Sequence, residues 1–204
     1  MYILGIHNGH HDASACVFCD YELVAAVSLE RLTRKKNDGV TPVEEIPTAA
    51  IDECLAIAGI SRADVDVVCA SRAHWDVQSY RLHGRWWIKQ QYYRLAGVRH
   101  IPLMTDMMRK QHASDAAAIF DQEGFRRRYG FNKADVFFYN HHAAHGVPGY
   151  FFSEFPDALI YTADGIGDNV SYSVTAARGG ALEVLSGSDE SLLRPFRVNS
   201  VGLL

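Results

Sequence analysis

The chain has 204 residues, is 48% hydrophobic, 22% charged and 11% aromatic, and carries a formal net charge of −4. This composition has no disorder signature, and the acidic balance, with a pI near 6.2, speaks against a nucleic-acid surface as the main feature. No apolar run is long enough to span a bilayer, and Met1–Ile6 does not read as a signal peptide. The expected setting is the cytoplasm, with neither membrane nor nucleic acid as partner.

Tyr2–His7 is expected as a short strand, Asn8-Gly9-His10 as a turn, Ala13–Phe18 as a second strand and Glu22–Ser28 as a third. Short polar turns make these neighbours antiparallel. Cys16 and Cys19 form a Cys-x-x-Cys inside the second strand. At a spacing of three they face opposite sides, so they are expected as buried thiols in a reducing compartment.

Thr41-Pro42-Val43-Glu44 opens a helix, with a Thr cap, Pro at the first position and early acids. Ile46, Ala50, Ile51, Leu55 and Ile57 keep helical spacing up to a closing Gly59. Ser61–Asp64 reads as a turn and Val65–Ala70 as a strand able to pair in parallel with an earlier one. Residues 74–133, rich in Arg, His, Gln, Trp and Tyr, break the rhythm and read as a mostly helical insertion.

Asp135–Tyr139 returns to strand. A helix carrying three histidines follows, and Gly146-Val147-Pro148-Gly149 is expected to interrupt it. Asp157–Thr162 is a strand running into the glycine loop Ala163-Asp164-Gly165-Ile166-Gly167-Asp168. Val170–Thr175 and Leu182–Leu185 are further strands.

The order βββαβ, insertion, βα and a new β-meander implies an α/β chain of the actin/hexokinase-like, ribonuclease H-like type, in which two related subdomains face a cleft. The expected organisation is a first subdomain over residues 1–155, with the insertion at about 74–133. The beginning of a second, truncated subdomain covers 156–204.

Three stretches carry chemistry. The turn Gly9-His10-His11-Asp12-Ala13-Ser14 lets backbone N–H groups approach a phosphate. Arg31, Arg34, Lys35 and Lys36 can clamp an anion, or form a solvated basic turn. In Asn140-His141-His142-Ala143-Ala144-His145, His141 and His145 fall one helical turn apart on one face, and His142 with His145 is a second possible pair. Asp164 would complete a two-His, one-carboxylate set suited to iron or zinc. A metallohydrolase is disfavoured, because Ala143 and Ala144 occupy the middle of the run and no His-Glu-x-x-His is present.

Ile3–Ile6 with the Gly9–Ala15 turn, Val24–Lys36, Asn140–His145 and Thr162–Asp168, in this order, resemble the N-terminal part of the NodU/CmcH-type O-carbamoyltransferases. More distantly they are similar to the tRNA threonylcarbamoyl-adenosine synthases. The resemblance implies that a carbamoyl group from carbamoyl phosphate is activated with ATP as carbamoyl-adenylate. It is then transferred to a hydroxyl of a small-molecule acceptor at an iron-type centre. Activation belongs to a separate C-terminal domain that this chain is expected to lack.

Carried over by position, His141, His145 and Asp164 would be metal ligands, with a further carboxylate ligand beyond residue 204. His11 would act as general base or hydrogen-bond partner at the reacting group. Lys36 would stabilise developing charge, with Arg72 as a further candidate. Gly9, Asp12 and Ser14 would hold the nucleotide, Gly165 and Gly167 would let it approach, and the insertion would face the acceptor. The alternative is a catalytically incomplete nucleotide- or metal-binding module of the same fold.

Overall fold

The computed structural model describes residues 1–40, 45–71, 74–114, 116–167 and 170–187. The chain divides into two compact units, Met1–Phe138 and Tyr139–Leu204.

The first unit opens on strands β1 (Tyr2–His7), β2 (Ser14–Cys19) and β3 (Glu22–Ser28). Buried residues alternate along the strands, Leu4 and Ile6 on β1 and Ala15 and Val17 on β2, as a pleated sheet requires. β1 pairs antiparallel with β2 and β2 with β3, while β4 (Val67–Ala70) and β5 (Asp135–Phe138) add in parallel on the other side of β1. The resulting order, β3-β2-β1-β4-β5, is the ribonuclease H-like sheet expected from the sequence.

Helix α1 (Leu29–Thr33), one short turn after β3, was not foreseen. Helix α2 (Thr48–Ala58) starts after Pro47, later than expected, so Ile46 is buried ahead of the helix rather than in it. The expected Thr41–Glu44 opening lies outside the described residues. α2 buries Ala50, Ile51, Cys54 and Leu55, leaves Ile57 in solvent, and closes on Gly59 at φ 67°, a left-handed cap that favours glycine. Cys16 and Cys19 are half-buried rather than buried, because they sit on the less covered positions of β2, and Cys54 is the buried thiol.

Asp66, just before β4, ties three strands together. Its carboxylate accepts from the Tyr2 amide (2.8 Å) and meets the Lys133 ammonium (2.6 Å), and its carbonyl accepts from the Asp135 amide (2.9 Å). The bond to Lys133, then that to Tyr2, holds its carboxyl below the usual carboxylate range. A depressed folded value contributes stability that is present above about pH 4 and lost as pH falls through the folded value. Asp66→Asn should therefore lower stability at neutral pH and flatten the acid limb of a urea-unfolding series. An acid limb as steep as that of the parent would contradict this.

Between β4 and β5 lie α3 (Gly84–Ala96), α4 (Met104–Gln111), α5 (Ala116–Ile119) and α6 (Gln122–Tyr129). Their core is aromatic. Trp75 meets Phe120, Phe125 and Phe138 edge to face at 5.5–5.8 Å, and Phe125 stacks on Phe131.

In the second unit, α7 (His141–Phe151) precedes an antiparallel meander of β6 (Asp157–Gly167), β7 (Val170–Arg178) and β8 (Ala181–Ser186). Two expectations fail here. α7 continues through Pro148 without interruption. The Asn140 side chain caps it, accepting from the amides of His142 (2.9 Å) and Ala143, and Gly146 lies close against Ile160 and Thr162. Packing on β6 outweighs the local cost of the proline. The segment expected as a glycine loop is instead the end of β6, which runs to Gly167 with an irregular register after Ala163.

Candidate metal centre and strand-end loops

Helical spacing and the length of β6 bring His141, His145 and Asp164 together. One ligand atom from each lies within 4.8 Å of the others. His141 Nε2 is 2.5 Å from Asp164 Oδ2, and His145 Nε2 is 3.0 Å from His141 Nε2 and 3.9 Å from the same carboxylate oxygen. His141 is mostly buried, while His145 is open to solvent.

Two imidazole nitrogens facing each other at 3.0 Å can satisfy at most one shared proton, whereas a cation is met by both lone pairs and the carboxylate together. The donor set therefore fits a metal such as iron or zinc. Beside it, an open hollow of about 540 Å³ is lined by His145 and Asp164 and by Tyr150, Phe155 and Leu159.

Gly167 supports this arrangement. A Cβ there would lie 2.0–2.4 Å from the His141 ring and 2.9 Å from its Cβ, so the space next to Gly167 belongs to that side chain. Gly165 lies in the same strand. His142 turns the other way and is buried, with Nδ1 2.7 Å from Thr162 Oγ1, which is in turn 2.6 Å from Ser173 Oγ. It anchors α7 on β6 and β7 and leaves the pairing to His141 and His145.

The remaining candidates lie in the first unit. The Gly9–Ser14 turn is zipped to residues 38–40: Val40 N donates to Gly9 O (2.8 Å) and Ala13 N to Asp38 O (3.0 Å). Gly39 makes this possible, since a Cβ there would sit 2.0–2.4 Å from backbone atoms of His10 and His11. Asp12, Arg34 and Asn37, with φ of 54°, 62° and 55°, occupy the left-handed region, uncommon for residues with side chains.

His11 is exposed, with Nδ1 2.8 Å from Asp12 Oδ2. A carboxylate only accepts, so Nδ1 carries the proton and the Nε2 lone pair is the basic one. Ser14 begins β2 opposite His7 and Ser28. Lys36 is exposed and shares an open hollow of about 280 Å³ with Glu30, Arg31, Arg34 and Lys35. Arg72 lies outside the described residues.

Two features escaped the sequence reading. His7 ends β1 with Nδ1 2.8 Å from Ser71 Oγ, at the carboxyl ends of two adjacent parallel strands. The clue was an apolar strand ending in His just before a glycine turn. Glu45 is buried and collects four donors: the Asp76 amide, Ser79 Oγ, Tyr129 Oη and Arg128. Nothing in its neighbourhood in sequence announced it.

The sequence model of a family described as Carbamoyltransferase N-terminus matches residues 2–191. The nodulation protein NolNO of Sinorhizobium fredii is 28% identical over 200 residues, covering 95% of this chain and 24% of that protein. The uncharacterized protein sll1178 of Synechocystis is 25% identical over 197 residues, covering 89% of this chain and 28% of that protein. The chain thus spans about a quarter of the length of these curated relatives. YeaZ from Pseudomonas aeruginosa superposes with a TM-score of 0.40 at 10% identity, covering 92% of this chain and 67% of its own. The Aquifex aeolicus Ppx/GppA phosphatase gives 0.39 at 10%, covering 91% and 51%.

Proposed function

Since the chain belongs to the carbamoyltransferase N-terminal family, we propose that it carries the transfer step of a carbamoyltransferase. A carbamoyl group would pass from carbamoyl-adenylate, made from carbamoyl phosphate and ATP by a separate activation domain, to a hydroxyl of a small-molecule acceptor. The observation that carries this reading is the convergence of His141, His145 and Asp164 within a chain matched by the family along most of its length.

The acceptor oxygen would bond to the carbamoyl carbon. The bond from that carbon to the phosphate oxygen would break, and AMP would leave with the electron pair. His11 suits the proton acceptor, because Asp12 holds its Nδ1–H and leaves Nε2 basic. Lys36, among its basic neighbours, would balance charge on the departing phosphate, with Arg72 in the same role. In the first unit Gly9, Asp12 and Ser14 would contact the nucleotide, and in the second Gly165 and Gly167 would let it approach. A metal ion held by His141, His145 and Asp164, iron in this proposal, would supply Lewis-acid polarisation.

Metal analysis of the purified chain beside His141→Ala, His145→Ala and Asp164→Asn tests the centre. About one equivalent is expected in the parent, with each variant losing affinity at least about 100-fold, the upper end of what weaker perturbations around such sites cost. Undiminished metal in all three variants would remove the site. Acceptor-dependent consumption of carbamoyl-adenylate then tests the reaction. Metal binding without turnover in a protein that includes the activation domain would leave a metal-binding module.

A further inference from the structure

Helix α3 is turned inside out. It buries Gln90 and presents Ile88, Tyr92 and Leu95 to solvent, 64%, 65% and 83% exposed. The inversion is held in place by polar bonds: Gln90 Nε2 donates to the carbonyls of Val77 and Tyr80, both at 2.7 Å, and Gln90 O accepts from Gln78 Nε2 at 3.0 Å. Tyr93 on the same inner side stacks on His100 at 5.0 Å.

At about 100° per residue, Ile88, Tyr92 and Leu95 fall within roughly 60° of one another, opposite Trp86, Gln90 and Tyr93. Trp87, 52% exposed, flanks them. Single exposed apolar residues are ordinary, but a continuous stripe along a pinned helix marks an interaction surface.

The charge along this segment of the chain has one sign. No Asp or Glu occurs between Asp76 and Asp106, although the whole chain is net negative at −4. Within that stretch Arg81 and Arg99 are paired with Asp121 and Asp76. Arg85, Lys89 and Arg94 are exposed and have no carboxylate partner among the described residues, although Arg85 and Lys89 stand over the Trp86 ring at 6.0 and 4.5 Å. Arg85 and Lys89 fall on one flank of the stripe and Arg94 on the other.

We propose that α3 docks the chain on an anionic lipid surface. Ile88, Tyr92 and Leu95 would enter the boundary between headgroups and acyl chains, and Arg85, Lys89 and Arg94 would meet the lipid phosphates. No helix among the described residues is long and apolar enough to cross a membrane, and surface docking needs none. The cations on both flanks of the apolar stripe, in a segment without a carboxylate, match an anionic surface.

The test mixes the purified chain with vesicles of phosphatidylcholine and phosphatidylglycerol, or of phosphatidylcholine alone, and follows sedimentation and tryptophan emission. Binding is expected to the anionic vesicles only, with a blue shift from Trp87, and should weaken with salt. Ile88→Ser with Leu95→Ser should abolish it. Arg85→Gln, Lys89→Gln and Arg94→Gln together should weaken it about 100-fold, roughly fivefold per cation.

These residues are exposed, so melting curves of the variants should match the parent. No binding to anionic vesicles, or binding that survives both sets of substitutions, overturns the proposal. So does preference for an acidic amphipathic peptide over the vesicles, which would make the partner a protein. None of these outcomes bears on the metal centre.

Discussion

Gly167→Ala should abolish the metal binding proposed for His141, His145 and Asp164 without unfolding the chain. The added Cβ would fall 2.0 Å from His141 Cδ2 and 2.4 Å from Cγ, well inside van der Waals contact. The imidazole cannot move aside as a whole. It is mostly buried, it sits on α7, and α7 is anchored on β6 through the buried His142–Thr162 contact. Relief must therefore come from rotating the ring away from Asp164 and His145, which breaks the three-atom cluster.

Overpacking of this kind costs about 1–3 kcal/mol in stability. Affinity for a metal, read by titration with iron(II) or zinc(II), should fall at least about 100-fold, as expected when ligand orientation is lost. Gly149→Ala is the matched control. A Cβ there meets nothing within 4 Å, so metal binding should be unchanged, and α7 should gain the roughly 0.5–1 kcal/mol that alanine holds over glycine in a helix. Parent-like titration of Gly167→Ala would show that His141 does not hold the ion.

The largest effect on stability is expected at Glu45. Its carboxylate accepts from the Asp76 amide at 3.1 Å, Ser79 Oγ at 2.7 Å and Tyr129 Oη at 2.7 Å, and pairs with Arg128. Burial, and then the neighbouring Glu45 charge, push the Tyr129 hydroxyl well above its usual range, so it remains a donor at any working pH.

Glu45→Ala strands all these donors at once. Breaking a buried pair from one side costs about 3–5 kcal/mol. The lower end applies here, because Arg128 is partly solvated and can turn outward. Glu45→Gln keeps the volume and one acceptor oxygen, so it should lose less than the alanine variant. Urea unfolding followed by near-ultraviolet circular dichroism measures both. A loss below about 1 kcal/mol for the alanine variant would mean that water replaces the carboxylate.

Much of the fold was legible because its determinants are local. The alternation of Leu4 and Ile6, and of Ala15 and Val17, marks the pleat of β1 and β2, and the short turns between strands leave only antiparallel neighbours. The Ala50-Ile51-Leu55 face and Gly59 mark α2 and its end in the same way, although Ile46 precedes the helix and Ile57 is exposed. The candidate centre was legible for a similar reason: His141 and His145 stand one helical turn apart, a relation that spacing alone creates.

Other features depended on the partner surface. The local rule for Pro148 says that a helix breaks there, yet α7 runs through because Gly146 lets it lie close on Ile160 and Thr162. Glycines around Asp164 suggested a loop, but pairing with β7 extends β6 to Gly167. Glu45 became a buried acceptor only when Ser79, Arg128 and Tyr129 closed around it.

The sequence by itself thus determined the antiparallel β1–β2–β3 meander, most of the buried face of α2 and the histidine pair, since each follows from a short turn or from the period of a helix. Only the tertiary structure decided which histidine is buried on Thr162, which glycine makes room for His141, and that α3 turns its isoleucine and leucine outward. Those outcomes are set by contacts between residues far apart in the chain, where packing and hydrogen-bond satisfaction outweigh local preference.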